Sequence, residues 1–123
     1  MSKKPIAYVI EDNPDLAMIF AQALNGANYQ TTAIHDGREA MTKIFAEPPY
    51  LVLLDLHLPS FSGQDILQNI RNDASLSEMR VFVASADTRL ADTLKGPHTI
   101  ILDKPVSFIQ LQQLARRFHP EQQ

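Results

Sequence analysis

Five polar side chains in this sequence stand where apolar runs stop. Ile6–Ile10 runs into Glu11 and Asp12, Leu51–Leu54 into Asp55 and Val81–Ala84 into Ser85, and Thr99–Leu102 leads to Lys104 two positions on. The stretch "YLVLLD" is apolar on both faces, which marks a strand in the middle of a sheet, and it ends in a carboxylate with no cation close by in sequence. Carboxylates brought together repel and raise one another's pKa unless something positive sits among them. A hard divalent cation suits such an all-oxygen set, and Mg²⁺ commonly takes one or two carboxylates plus waters and phosphate oxygens. Lys104 adds a fixed positive charge and Ser85 a hydroxyl. The chemistry this set could support is a nucleophilic carboxylate beside Mg²⁺, with two further groups to receive phosphoryl oxygens.

Helix capping is the plain alternative for polar residues in these places, and most of them are not needed for it. Asn13-Pro14 already supplies an N-cap and a first-turn proline, so Glu11 and Asp12 are spare. Ser62 with Asp65 three residues on, and Ser107 with Gln110, have capping-box spacing, which frees Asp55 and Lys104. Ser85 stays ambiguous, because it or Asp87 could cap the helix that follows.

The elements that must position these residues alternate along the chain. Strand-like runs at Ile6–Ile10, Tyr29–Ile34, Leu51–Leu54, Val81–Ala84 and Thr99–Leu102 are separated by helical patterns. The first helix places Leu16, Ile19, Phe20, Ala23 and Leu24 on one face and stops at Asn25-Gly26. The second starts at Asp36, carries Ala40, Met41, Ile44 and Phe45, and ends at Pro48-Pro49. The third, from Gly63, buries Ile66, Leu67 and Ile70; the fourth, Thr88 to Leu94, is short; the last aligns Phe108, Leu111, Leu114, Ala115 and Phe118. Repeated strand–helix units require crossovers and so a parallel sheet with helices on both faces, an α/β class whose ligand sites lie at the carboxyl ends of the strands. At 123 residues the chain is expected to form one domain, 1–123, with a core from about 6 to 118. It has no cysteine, a net charge of −3 and no dense basic run, which excludes thiolate metal sites and argues against direct nucleic-acid binding. No stretch reaches the roughly 18 apolar residues of a membrane span, and a cytoplasmic location is expected.

The motifs "VIEDNPDLA", "LLDLHLPSFSG", "VFVASAD" and "LDKP", in this order, resemble the receiver domain of two-component response regulators. The resemblance covers Ile6 to Phe118 and implies a flavodoxin-like (βα)5 three-layer sandwich with strand order 2-1-3-4-5. It makes Asp55 the phosphate acceptor, Asp12 the direct Mg²⁺ ligand, Glu11 a ligand acting through water and His57 a donor of its backbone carbonyl to the metal. Ser85 becomes the switch hydroxyl and Lys104 the lysine that pairs with phosphate. Pro105 matches a proline preceded by a cis peptide, Pro59 and Gly63 shape the loop after the acceptor, and His57 and Asp87 flank the phosphoryl group. The His57 side chain itself reads as an exposed loop residue. Met18, off the core face of its helix, is an ordinary exposed methionine or part of a kinase-docking patch.

What the resemblance implies about partners is a sensor histidine kinase or histidine phosphotransfer protein upstream and a protein target downstream, with no enzymatic activity beyond its own phosphorylation and dephosphorylation. Homodimerisation stays open. Two features depart from the family pattern: Ile101 stands where an aromatic residue is usual, and the 19 positions between Ser85 and Lys104 are fewer than usual, trimming the fourth helix and the loop after it. Phosphorylation is therefore expected to perturb Ser85 to Leu94 more than Ile101. The alternatives are a Mg²⁺-dependent phosphatase of the haloacid dehalogenase type, which also uses a strand-end aspartate, and a degenerate receiver that serves only as a binding module.

Overall fold

The computed structural model describes residues 3–58 and 61–122, and for Thr88 and Gln122 the backbone only. Pro59 therefore lies outside the described residues. Strands β1 (Ile6–Ile10), β2 (Gln30–Ile34), β3 (Leu51–Asp55), β4 (Arg80–Ser85) and β5 (Thr99–Asp103) alternate with helices α1 (Pro14–Gly26), α2 (Gly37–Ala46), α3 (Gly63–Arg71), α4 (Thr88–Thr93) and α5 (Phe108–Arg117). All strand pairs are parallel and the order is β2-β1-β3-β4-β5, the flavodoxin-like α/β arrangement. Short 3-10 turns at Ala74–Leu76 and Pro120–Gln122 were not foreseen from the sequence. Among the described residues, no helix is long and apolar enough to cross a membrane.

Side chains alternate across each strand, so the sheet builds two cores. On one face Tyr8, Ile10, Val52, Leu54, Val81 and Val83 meet Ala40 and Ile44 of α2 and Ile66, Leu67 and Ile70 of α3, with Leu90 and Leu94 of the α4 region packed alongside. On the other, Ala7, Val9, Leu51, Leu53, Phe82 and Ala84 meet α1 and α5. β3 is wholly buried because it is the central strand and both its faces are covered.

The buried face of α1 differs from the expected one. Ala17, Phe20, Ala23 and Leu24 are buried, whereas Leu16 and Ile19 are each 40% exposed. Two overlapping stripes satisfy helical spacing in this helix, and the alanine-rich one wins because small side chains let α1 sit close against the sheet and α5. Phe45 and Phe108, expected on core faces, are likewise partly exposed, and Met18 is exposed as expected. Among the described side chains of α4, Ala91 is fully buried, while Leu90 and the C-cap Leu94 are only half-buried.

The caps fall where the sequence puts them. The Asn13 side chain accepts from the N–H groups of Asp15 and Leu16, Ser62 from Asp65 and Ser107 from Gln110. Gly63 is dictated by contact: a Cβ there would lie 2.6 Å from both the Asp55 carbonyl oxygen and the Leu56 Cα. Only glycine lets α3 start this close to the end of β3. Gly63→Ala should therefore cost about 1–3 kcal/mol of stability, because the obstructing atoms are backbone. Urea denaturation measures it, and an unchanged midpoint would show that α3 can retreat freely.

Candidate functional site

Interstrand backbone bonds run to the carboxyl ends of the strands and fix the site residues there. The Glu11 N–H donates to Ile34 O at 3.0 Å, Leu56 N–H to Ala84 O at 3.2 Å and Lys104 N–H to Ser85 O at 3.1 Å. Register sets Asp55 beside Ala84 and Ser85 beside Asp103, so the polar residues that end β1, β3, β4 and β5 share one edge. The Lys104–Pro105 peptide bond is cis, as the resemblance implied.

Carboxylate oxygens of Glu11, Asp12 and Asp55 lie within 4.8 Å of one another. Glu11 and Asp55 are buried, while Asp12 is exposed at the rim. The cation that Asp55 lacks nearby in sequence comes from afar: Lys104 Nζ donates to its Oδ1 at 2.7 Å, from 49 residues further along the chain. The backbone N–H of His57 donates to the same oxygen at 3.0 Å. Both donors engage Oδ1, leaving Oδ2 as the oxygen these two do not touch.

The electrostatics separate the two buried acids. Burial pushes the Glu11 carboxyl up to about 7; the N–H of Asn13, which donates to its Oε2 at 3.2 Å, acts against this, and the carboxylates of Asp12 and Asp55 reinforce it. Burial also pushes Asp55 up, but the Lys104 ammonium, the His57 N–H and a proton shared from Glu11 together outweigh it and hold Asp55 below its ordinary value. The two acids thus divide the labour: Asp55 stays ionised and Glu11 carries the proton most readily.

Ser85 is buried, and its Oγ accepts the Asp87 N–H at 3.0 Å. Asp87 is the N-cap of α4, accepting from Leu90 N–H at 3.1 Å, which settles the capping question and leaves Ser85 as the link between the site and that helix. The His57 side chain is exposed. A cleft of about 440 Å³ beside the acids is lined by Asp12, Leu56, His57, Leu58, Ser62, Gln64 and Leu90, giving open access. Sequence reasoning missed His35, whose Nδ1 donates to the Glu11 carbonyl at 3.0 Å and ties the acidic turn to the end of β2. Its position one residue past a strand was the available signal. The His57 backbone N–H had no signal at all, since backbone groups carry no residue type.

A doubly covered parallel sheet with an acidic cluster and a lysine-paired aspartate at its carboxyl edge defines a flavodoxin-like α/β domain with a charged site where such folds bind ligands. The response regulator receiver domain model matches residues 7–116, and the chain belongs to that family. The DNA-binding response regulator MtrA of Mycolicibacterium smegmatis is 34% identical over 88 residues, 72% of this chain and 37% of that protein. The chain spans well under half the length of such curated relatives. The signal receiver domain of a protein described as a LuxO repressor from Vibrio parahaemolyticus is 28% identical with a TM-score of 0.76, covering 93% of this chain and 91% of that one. The receiver domain of the sensor histidine kinase PA1611 from Pseudomonas aeruginosa, with a magnesium ion coordinated in its active-site cleft, shares the fold: 22% identity, TM-score 0.79, 94% of this chain and 97% of that one. A receiver domain is not normally a catalytic enzyme, and the Glu11, Asp12 and Asp55 cluster is consistent with a magnesium-binding phosphorylation site.

The raised Glu11 pKa has a consequence for stability. A carboxyl raised from 4.5 to about 7 binds more protons folded than unfolded between those values, so its contribution is full below 4.5 and lost as pH rises through about 7. In the presence of a chelator, the wild type should lose stability relative to Glu11→Gln between about pH 5 and pH 8. Denaturation curves of the two proteins at both pH values test this, and parallel pH dependences would contradict it.

Proposed function

We propose that this domain accepts a phosphoryl group on Asp55 from a phosphohistidine of a sensor histidine kinase or histidine phosphotransfer protein. The observation that carries the reading is the Lys104–Asp55 contact at 2.7 Å inside a cluster of three carboxylates within 4.8 Å. An ionised Asp55 is a competent nucleophile: its carboxylate oxygen forms the new bond to phosphorus while the phosphorus–nitrogen bond breaks, and the histidine nitrogen keeps that electron pair. Lys104 is already positioned to exchange a carboxylate oxygen for a phosphoryl oxygen, and Ser85 offers the second donor on the neighbouring strand end.

The donor set fits Mg²⁺, being all oxygen, rich in negative charge and open to the cleft on the Asp12 side. Asp12 and Asp55, the backbone carbonyl of His57 and, through water, Glu11 would hold it. Bound there, the ion would neutralise charge that builds on the phosphoryl oxygens. The magnesium ion in the Pseudomonas aeruginosa receiver supports the same choice of metal. On this reading the domain works in the cytoplasm, and its output is a changed affinity for a protein target. The family match favours this over the phosphatase alternative, and the intact acid–lysine set favours it over a degenerate receiver.

Incubation with phosphoramidate and Mg²⁺ should yield an acid-stable, base-labile adduct that mass spectrometry maps to Asp55, absent in Asp55→Asn. Asp12→Ala should abolish Mg²⁺ binding and labelling together, and Glu11→Ala should weaken both less. Undiminished labelling of Asp55→Asn would refute the assignment of the acceptor.

A further inference from the structure

The trimmed α4 is held at its C-terminal end by a side chain from another helix. Arg71, in the last turn of α3, reaches the loop between α4 and β5, where its Nη2 donates to the carbonyl of Leu94 and, at 3.1 Å, to Thr99 Oγ1. Leu94 is the C-cap of α4, and Thr99 begins β5. Gly96 makes the room: a Cβ there would come within 2.8 Å of Nη2 and 3.1 Å of Cζ. The Arg71 Nε is buried with no hydrogen-bond partner among the described residues, so the Nη2 bonds are what keep this cationic head in place.

α4 needs such help. It has six residues, no basic residue in its last turn and, among its described side chains, one that is fully buried, Ala91. Helices this short are marginal alone, and their last carbonyls carry partial negative charge that a cation offsets. Arg71 supplies that cation from α3. The opposite end of α4 is tied to the site, because Asp87 caps the helix and Ser85 Oγ accepts the Asp87 N–H at 3.0 Å. The helix is therefore strung between Ser85 and Arg71.

We infer that Arg71 is a clamp that makes the C-terminal end of α4 its fixed end, so that a change at Ser85 swings the first turn of the helix and leaves the loop to β5 in place. The inference rests on the proposed role of Ser85 in sensing phosphorylation at Asp55. It narrows the expected response from Ser85–Leu94 as a whole to the part nearest Ser85. It also gives the domain two adjoining surfaces of different kind: a first turn of α4 that responds, and an α3–loop–β5 seam that keeps its shape in both states.

Amide hydrogen exchange and NMR shifts of the full chain test this, with and without beryllofluoride and Mg²⁺. Leu94 N–H bonds to Ala91 O and Thr99 N–H to Gly96 O, so both amides report on the clamp directly. In the metal-free protein, Arg71→Gln should speed exchange at these two amides by about tenfold, in line with losing a hydrogen bond to a charged group, while the amides of β3 keep their protection. Gly96→Ala keeps the arginine but crowds its guanidinium off the loop, and should act in the same direction by less. With beryllofluoride, the wild type should shift at Asp87–Leu90 and hold still at Leu94 and Thr99, whereas in Arg71→Gln the shifts should reach both. Unchanged exchange at Leu94 and Thr99 in both variants would overturn the clamp, as would wild-type shifts at Leu94 as large as those at Leu90. Failure of beryllofluoride to bind the wild type would count against Asp55 as acceptor, and the metal-free measurement would still decide the clamp.

Discussion

The ion pair between Lys104 Nζ and Asp55 Oδ1, at 2.7 Å, is the interaction on which the rest of the arrangement turns. Asp55 ends a strand covered on both faces, where a lone carboxylate would take up a proton and lose its nucleophilicity. A lysine, supplied from the residue after β5 and reaching past the end of β4, prevents that. The pairing spans 49 residues and exists only because β3, β4 and β5 are parallel neighbours whose carboxyl ends share an edge. Sheet order is thus a condition of the chemistry.

The surroundings leave this pair free to act. Asn13, Ser62, Asp87 and Ser107 take up orphan N–H groups of their helices, so Glu11, Asp12, Asp55, Ser85 and Lys104 are not consumed by capping. Gly63 allows α3 to begin against the backbone of Asp55 and Leu56, which steadies Asp55 from behind. Glu11, pushed up to about 7 chiefly by burial, makes the acidic side of the site tolerant of proximity when no cation is bound. Burial, capping and close contact act together to hold several charged groups near one another at an edge open to solvent.

Much of this was legible in the chain because it follows from periodicity and from polar residues without a local job. Apolar runs separated by helical patterns imply the parallel α/β class, and the presence of other N-caps singles out Glu11, Asp12, Asp55 and Lys104. What escaped was long-range or backbone-borne. The partner of Asp55 is remote in sequence, the His57 N–H has no residue signature, and His35 reaches the Glu11 carbonyl across 24 positions of chain. The α1 face was misread because Leu16 and Ile19 are conspicuous and Ala17 is not, while tight packing favours the small residue. The Arg71 contact escaped for the same reason as the ion pair: its partners lie more than twenty positions away, on the far side of β4 in the chain.

Residue-resolved carboxyl NMR titration of the metal-free protein is the most direct test of the central claim, that Lys104 keeps a buried Asp55 ionised. In the wild type, Asp55 should titrate below its ordinary value and Glu11 near 7. In Lys104→Met, Asp55 should move upward, because burial then acts without the ammonium opposing it. An Asp55 that takes up its proton before Glu11 as the pH falls, or one indifferent to the loss of Lys104, would contradict the account.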